Sequence, residues 1–114
     1  KKKMNNSSKL QSSYDQMFSP IFLNDLSNYL EKLIKNKNFG IFHLSSIKMI
    51  SHFEIANQIK DFFKIKKIKI FPCKINSLRL LEKRPLLTHL STSKFDSIFN
   101  VKYNDLIYYL RNLK

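Results

Sequence analysis

Short apolar clusters separated by polar, lysine-rich spacers run the length of the chain, and their spacing changes from segment to segment. Leu23, Leu26, Leu30, Leu33 and Ile34 recur at intervals of three and four, which places them on one face of a helix of about three turns. Asn24 and Asp25 suit the start of that helix, where side-chain oxygens meet free backbone N–H groups. The polar run at 36–38 and the single glycine, Gly40, predict its end. "GIFHLSS" (40–46) is short, aromatic and β-branched, and predicts a buried strand. "SHFE" (51–54) has the form of a capping box, with Ser51 and Glu54 bonding reciprocally. The helix it opens carries Phe53, Ala56, Ile59 and Phe63 on one side, with Ile55 and Phe62 widening the stripe. "KLQSSY" (9–14) predicts a short strand. "IKKIKIFP" (65–72) predicts another, with lysines alternating outward and Pro72 ending it.

The last third is less regular. "INSLRLLEK" (75–83) predicts one or two helical turns, and "RPLLTHLS" (84–91) is extended near Pro85, because the residue before a proline avoids the helical region. "STSKFDSIF" (91–99) reads as a short helix capped by Ser91 or Thr92. "YNDLIYYLRNL" (103–113) reads as a terminal helix with Leu106, Leu110 and Leu113 inward. The order β-α-β-α-β followed by small helices predicts an α/β fold, in the form of an α+β-like lobe. Residues 1–8 are expected to be a flexible basic segment, and 9–114 one folded unit.

Composition narrows this picture. The chain has 114 residues, 43% hydrophobic, with 10 Phe, enough for one domain with a core. No apolar run is long enough for a membrane span, and the basic start leads into polar residues rather than a signal-peptide core. One cysteine, Cys73, excludes an internal disulfide framework and fits a reducing compartment, so the cytoplasm is expected. The first residue is Lys1, which suggests either a start inside a longer chain or a processed one. The net charge of +13 comes from 18 Lys and only 3 Arg, scattered among 13 Ile and 11 Asn. A solvated, compositionally biased surface explains that mix better than a nucleic-acid face, for which arginine is the richer residue.

Candidate chemistry is sparse. One glycine cannot form a Gly-rich phosphate loop, which excludes a dinucleotide fingerprint or Walker loop within the chain. No tyrosine is followed four residues later by lysine. His43, His52 and His89 are well separated and form no metal pair with Cys73, so no metal site is expected. His43 reads as a core or lining residue, and Cys73 as part of a loop. The eight carboxylates show no acid–base spacing. Alone, these residues do not make a catalytic centre.

"DQMFSPIFLNDL" resembles the Asp-Gln-x-x-Ser-Pro-x-x-x-x-Asp-Leu segment of the dTDP-4-dehydrorhamnose reductases and their relatives among the extended short-chain dehydrogenases. Asp15, Gln16, Ser19, Pro20, Asp25 and Leu26 carry the match. "GIFHLS" (40–45), "SHFEIANQI" (51–59) and "RPLLTHLSTSKF" (84–95) are similar to three further blocks of that family, in the same order. The resemblance implies the C-terminal, substrate-binding lobe of an NAD(P)-dependent nucleotide-sugar reductase. Its N-terminal Rossmann domain, with the Gly-rich cofactor site and catalytic Tyr and Lys, would lie outside this chain. NADP or NAD would then serve the intact protein, and none would bind this portion alone.

The resemblance also implies site residues. Arg84 corresponds to a residue that contacts the substrate diphosphate. Ser19 and Pro20 match a turn beside the substrate cleft, and Asp15 and Gln16 would orient that turn. Glu54 reads as a cap and Lys94 as structural. The implied partners are a nucleotide sugar, with dTDP favoured, the Rossmann domain, and a second copy if the protein is a homodimer. No membrane is among them, and a small basic nucleic-acid-binding protein is the less favoured alternative. Phe18, Leu87 and Ser91 depart from the family pattern. They keep open an epimerase or dehydratase of the same superfamily, and a non-catalytic binding or regulatory subunit.

Overall fold

The computed structural model describes residues 8–113. Residues 1–7 of the expected flexible segment lie outside them, and Ser8 already belongs to the first strand, β1 (Ser8–Ser13). A two-residue strand β2 (Met17–Phe18), helix α1 (Leu23–Lys35) and a two-residue strand β3 (Ile50–Ser51) follow. Next come α2 (His52–Phe62), β4 (Ile68–Cys73), a 3-10 turn (Ile75–Ser77), α3 (Ser93–Phe99) and α4 (Leu106–Arg111). The α/β class therefore holds. Strands β1 and β4 pair in parallel from Ser8↔Ile68 to Ser13↔Cys73, and β2 pairs antiparallel with β3. Among the described residues no helix is long and apolar enough to cross a membrane.

Local chemistry accounts for most of the boundaries. At Ser51 both halves of the capping box are made, with Glu54 N–H donating to Ser51 Oγ and Ser51 N–H to the Glu54 carboxylate. The N-cap of α1 is Phe22, which has no suitable side chain. Its N–H donates instead to Ser46 Oγ at 2.8 Å, so a distant loop supplies the cap. Thr92 is the N-cap residue of α3, but its hydroxyl is turned to Asp96 at 3.0 Å and makes no cap bond, while Ser91 Oγ accepts the Ser93 N–H at 3.5 Å.

Helix α1 ends without its glycine. Lys37 takes the left-handed conformation (φ 53°), and Lys37 and Asn38 N–H groups donate to the Ile34 and Leu33 carbonyls, a Schellman closure. Helix α2 ends in the same way at Lys64 (φ 54°), with Lys64 and Ile65 donating to Asp61 and Lys60. Gly40 (φ +114°) lies beyond the stop and serves a later turn. A side chain with a Cβ is strained in this region, whereas glycine is not. Lys37→Gly and Lys64→Gly should therefore each raise unfolding stability by about 0.5–1 kcal/mol in urea titrations.

Three expectations are corrected by pairing and packing. Segment 40–46 forms no strand, because no described strand lies alongside to complete a ladder. Ile41 is 78% exposed and His43 is exposed rather than in the core. Lys94 holds this segment, donating to the Ile41 carbonyl at 2.9 Å with its ammonium 4.3 Å above the Phe42 ring. Pro72 does not end β4. Among the described residues that strand pairs on one side only, with the carbonyls of Lys67 and Cys73 turned to β1, so the nitrogen of Pro72 faces the other edge. Cys73 is accordingly a strand residue opposite Ser13 rather than part of a loop.

Two apolar clusters form the core. Ile47, Ile50, Leu106, Tyr109 and Leu110 make the first, against which Ile55, Ile59 and Phe62 of α2 pack. The packed stripe of α2 is thus 55/59/62, while Phe63 is exposed; on α4, Tyr109 takes the inward place expected for Leu113. Tyr29, Leu33 and Phe95 make the second, which joins α1 to α3. The apolar face expected for α1 is corrected here: Leu33 is buried, but Leu23, Leu30 and Ile34 are exposed and Tyr29 takes the inward place, because α1 packs on Phe95 through that side.

Candidate functional site

Where β1 ends, the chain turns through Asp15 and Gln16, and both side chains reach far along the sequence. The Asp15 carboxylate accepts the Ile75 N–H at 2.9 Å, fixing the turn that follows β4. Gln16, only 8% exposed, donates its amide to the Pro85 carbonyl at 3.3 Å. Met17 N–H donates to the Leu86 carbonyl at 2.8 Å, and the Met17 carbonyl accepts from both Thr88 N–H (3.0 Å) and Thr88 Oγ1 (3.2 Å). The segment after Arg84 is thereby pinned along β2.

Arg84 then lines a hollow of about 250 Å³ with Gln11, Ser12, Ser13, Gln16 and His52, while Ile75, Leu78 and Leu80 supply its apolar lining. The hollow lies at the carboxyl end of β1, the position where open α/β sheets commonly take ligands. No carboxylate lines it, and among the described residues Arg84 has no ion-pair partner. A guanidinium fork with hydroxyl and amide donors around it is suited to a phosphate or another oxyanion.

The five residues implied by the resemblance divide here. Gln16 and Arg84 share the hollow, and Asp15 braces its rim through Ile75. Ser19 and Pro20 stand elsewhere: Ser19 Oγ donates to the Lys48 carbonyl, and the Pro20 carbonyl accepts from Ser46 (2.9 Å) and Ile47 (3.3 Å). These two anchor the 45–48 loop. Phe18 stacks on His52 with ring centroids 4.4 Å apart. His52, Gln11, Ser12 and Ser13 had no functional signal of their own in the sequence.

A second polar region lies around Tyr109. Its ring stacks on Phe22 at 3.9 Å, and its hydroxyl donates to Asp25 at 2.5 Å, so Asp25 latches α4 to α1. Tyr103 donates to Asp96 (2.6 Å) and Thr92 (2.7 Å) in a similar way. Burial first, and then the neighbouring carboxylate, pushes both phenols up to about 12 from their ordinary 10.0. The unfolded chain therefore loses these protons near pH 10, while the folded chain keeps them to about 12. Their contribution is present below pH 10 and should be lost as pH rises through that window. Denaturation midpoints at pH 8 to 11.5 should fall at the alkaline end, and the fall should shrink in the Tyr103→Phe/Tyr109→Phe double variant.

A hollow of about 440 Å³ adjoins this region between Phe22, Asp25, Tyr109 and Asn112. Among the described residues no cation lines it, and its one carboxylate is already bonded to Tyr109. The described residues also offer no glycine-rich turn for a dinucleotide: Gly40 faces the Lys94 ammonium, which a Cβ there would meet at 3.4 Å.

Comparison with known proteins gives a consistent answer. The family model described as "RmlD substrate binding domain" matches residues 1–112. No curated protein matches. Among solved structures, the chain is similar to a dTDP-4-dehydrorhamnose reductase from Clostridium acetobutylicum, with 26% identity and a TM-score of 0.72 over 82% of this chain and 33% of that one. It is similar to one from Yersinia enterocolitica, with 27% identity and a TM-score of 0.60 over 71% of this chain and 28% of that one. The Bacillus anthracis reductase, solved with NADP, shares the fold at 20% identity, with a TM-score of 0.64 over 94% of this chain and 33% of that one. The chain spans about a third of the length of these relatives.

Proposed function

The chain belongs to the RmlD substrate binding domain family, and on that premise we propose that it is the nucleotide-sugar-binding portion of a reductase acting on a dTDP-linked 4-keto sugar. The observation that carries this reading is the carboxylate-free hollow at the end of β1, lined by Arg84 and Gln16. In it, Arg84 takes the diphosphate through a bidentate, charge-assisted contact. Gln16 and Asp15 hold the Arg84 segment and the turn after β4 in place, and Ser19 and Pro20 secure the 45–48 loop behind them.

Reduction itself requires a hydride donor, which NADP or NAD supplies in the intact enzyme from a Rossmann domain outside this chain. Several features support such a larger protein. The parallel pair β1–β4 stands as a two-stranded sheet with Leu10 and Phe71 exposed, whereas parallel sheets are normally covered on both faces. Phe39 and Ile41 are 85% and 78% exposed. The radius of gyration is 17.3 Å, against about 13 Å for a compact chain of this length. A cytoplasmic location follows from this reading.

Calorimetric titration of the chain with dTDP-glucose and, separately, with NADP tests the proposal. Saturable binding of the nucleotide sugar without binding of NADP is the expected result. Absence of nucleotide-sugar binding in a folded sample would overturn it.

A further inference from the structure

His52 lines the same hollow as Arg84, and among the described residues the two are the only cationic or cation-forming side chains there. This is notable in a chain whose positive charge is mostly lysine: 18 of its 21 basic residues are Lys, and none of the described ones lines the hollow. The imidazole lies flat against Phe18, 4.4 Å between centroids and 19° between planes. Stacking covers one face of the ring and fixes its plane, so its nitrogens act at the ring edge. Among the described residues, the His52 side chain makes no hydrogen bond. The nearest carboxylate on its own helix, Glu54, is occupied by the Ser51 N–H.

We propose that His52 is a second contact to the ligand's diphosphate, donating an imidazole N–H to a phosphate oxygen while Arg84 holds the group from its own side of the hollow. This rests on the reading that Arg84 takes the diphosphate. Phe18 then acts as the platform that orients the donor rather than as a wall that narrows the cleft. His52 is thus a binding residue set by the pairing of β2 with β3, which brings Phe18 opposite Ile50 and next to the start of α2.

The test is dTDP-glucose affinity of the full chain in three variants, Arg84→Ala, His52→Ala and His52→Phe. His52→Phe keeps an aromatic ring on Phe18, so its unfolding midpoint should match the parent's. Each variant should bind roughly tenfold more weakly or worse, as expected when a hydrogen bond to a charged group is lost. If Arg84→Ala weakens binding and His52→Ala does not, His52 is no contact and the inference fails while the reading of Arg84 stands. If His52→Phe binds as tightly as the parent, the ring only stacks, and the hydrogen-bonding role is overturned. If Arg84→Ala itself leaves affinity unchanged, the diphosphate assignment falls and the inference with it.

Discussion

Replacing Arg84 by alanine should weaken dTDP-glucose binding by about 10- to 100-fold, or roughly 1.5–3 kcal/mol, the usual value of a hydrogen bond to a charged partner. Arg84 is exposed and has no ion-pair partner among the described residues, so its removal breaks no packing or internal charge contact. The unfolding midpoint should therefore stay where it is while affinity falls. Arg84→Lys should recover only part of the loss, because an ammonium keeps the charge but not the planar fork. Equal affinity in parent and Arg84→Ala would remove the main anion-binding group from the hollow.

Phe95→Ala should cost about 3–5 kcal/mol, the range for deleting a buried aromatic side chain. Phe95 is 1% exposed and its ring meets Tyr29 at 4.9 Å, Phe99 at 4.8 Å and, edge-on, Phe42 at 6.4 Å. It thereby joins α1, α3 and the 40–44 segment. Against a total stability of about 5–15 kcal/mol for an ordinary domain, this loss would populate the unfolded state or melt α3 away from α1. Urea unfolding followed by circular dichroism measures it. A loss below about 1 kcal/mol would mean that the second cluster does not hold these pieces together.

These two residues also mark what the sequence makes legible. Helices α1 and α2 are readable as helices because their signals are local: a three-and-four spacing of leucines, and a Ser-x-x-Glu that closes on itself. Which side of α1 is buried is not, since Tyr29 and Leu33 face inward while Leu23, Leu30 and Ile34 are exposed. The fate of 40–46 is not, because its composition suits a strand while pairing depends on a neighbour that no local pattern supplies. Pro72 misleads for a related reason, since a proline breaks a ladder only where its nitrogen should donate. The left-handed lysines 37 and 64 do the work expected of a glycine, and nothing in their side chains announces it.

The site is harder still. Gln16 and Pro85 are bonded across 69 positions, and Asp15 and Ile75 across 60, so the hollow is assembled from segments that share no periodicity. Arg84, Gln16 and Asp15 were singled out by family resemblance, not by spacing. Ser19 and Pro20 came from the same motif, yet they face the 45–48 loop. His52 lay concealed inside the capping box, where Ser51 and Glu54 account for the pattern and leave the residue between them unremarked.

The most direct test of where this chain takes its ligand is amide chemical-shift mapping of the ¹⁵N-labelled chain titrated with dTDP-glucose. The account predicts shifts centred on Gln11–Ser13, Gln16, His52 and Arg84, with little change around Phe22, Tyr109 and Asn112. Shifts centred on the Phe22–Tyr109 hollow instead, or none at all at saturating nucleotide sugar, would contradict it.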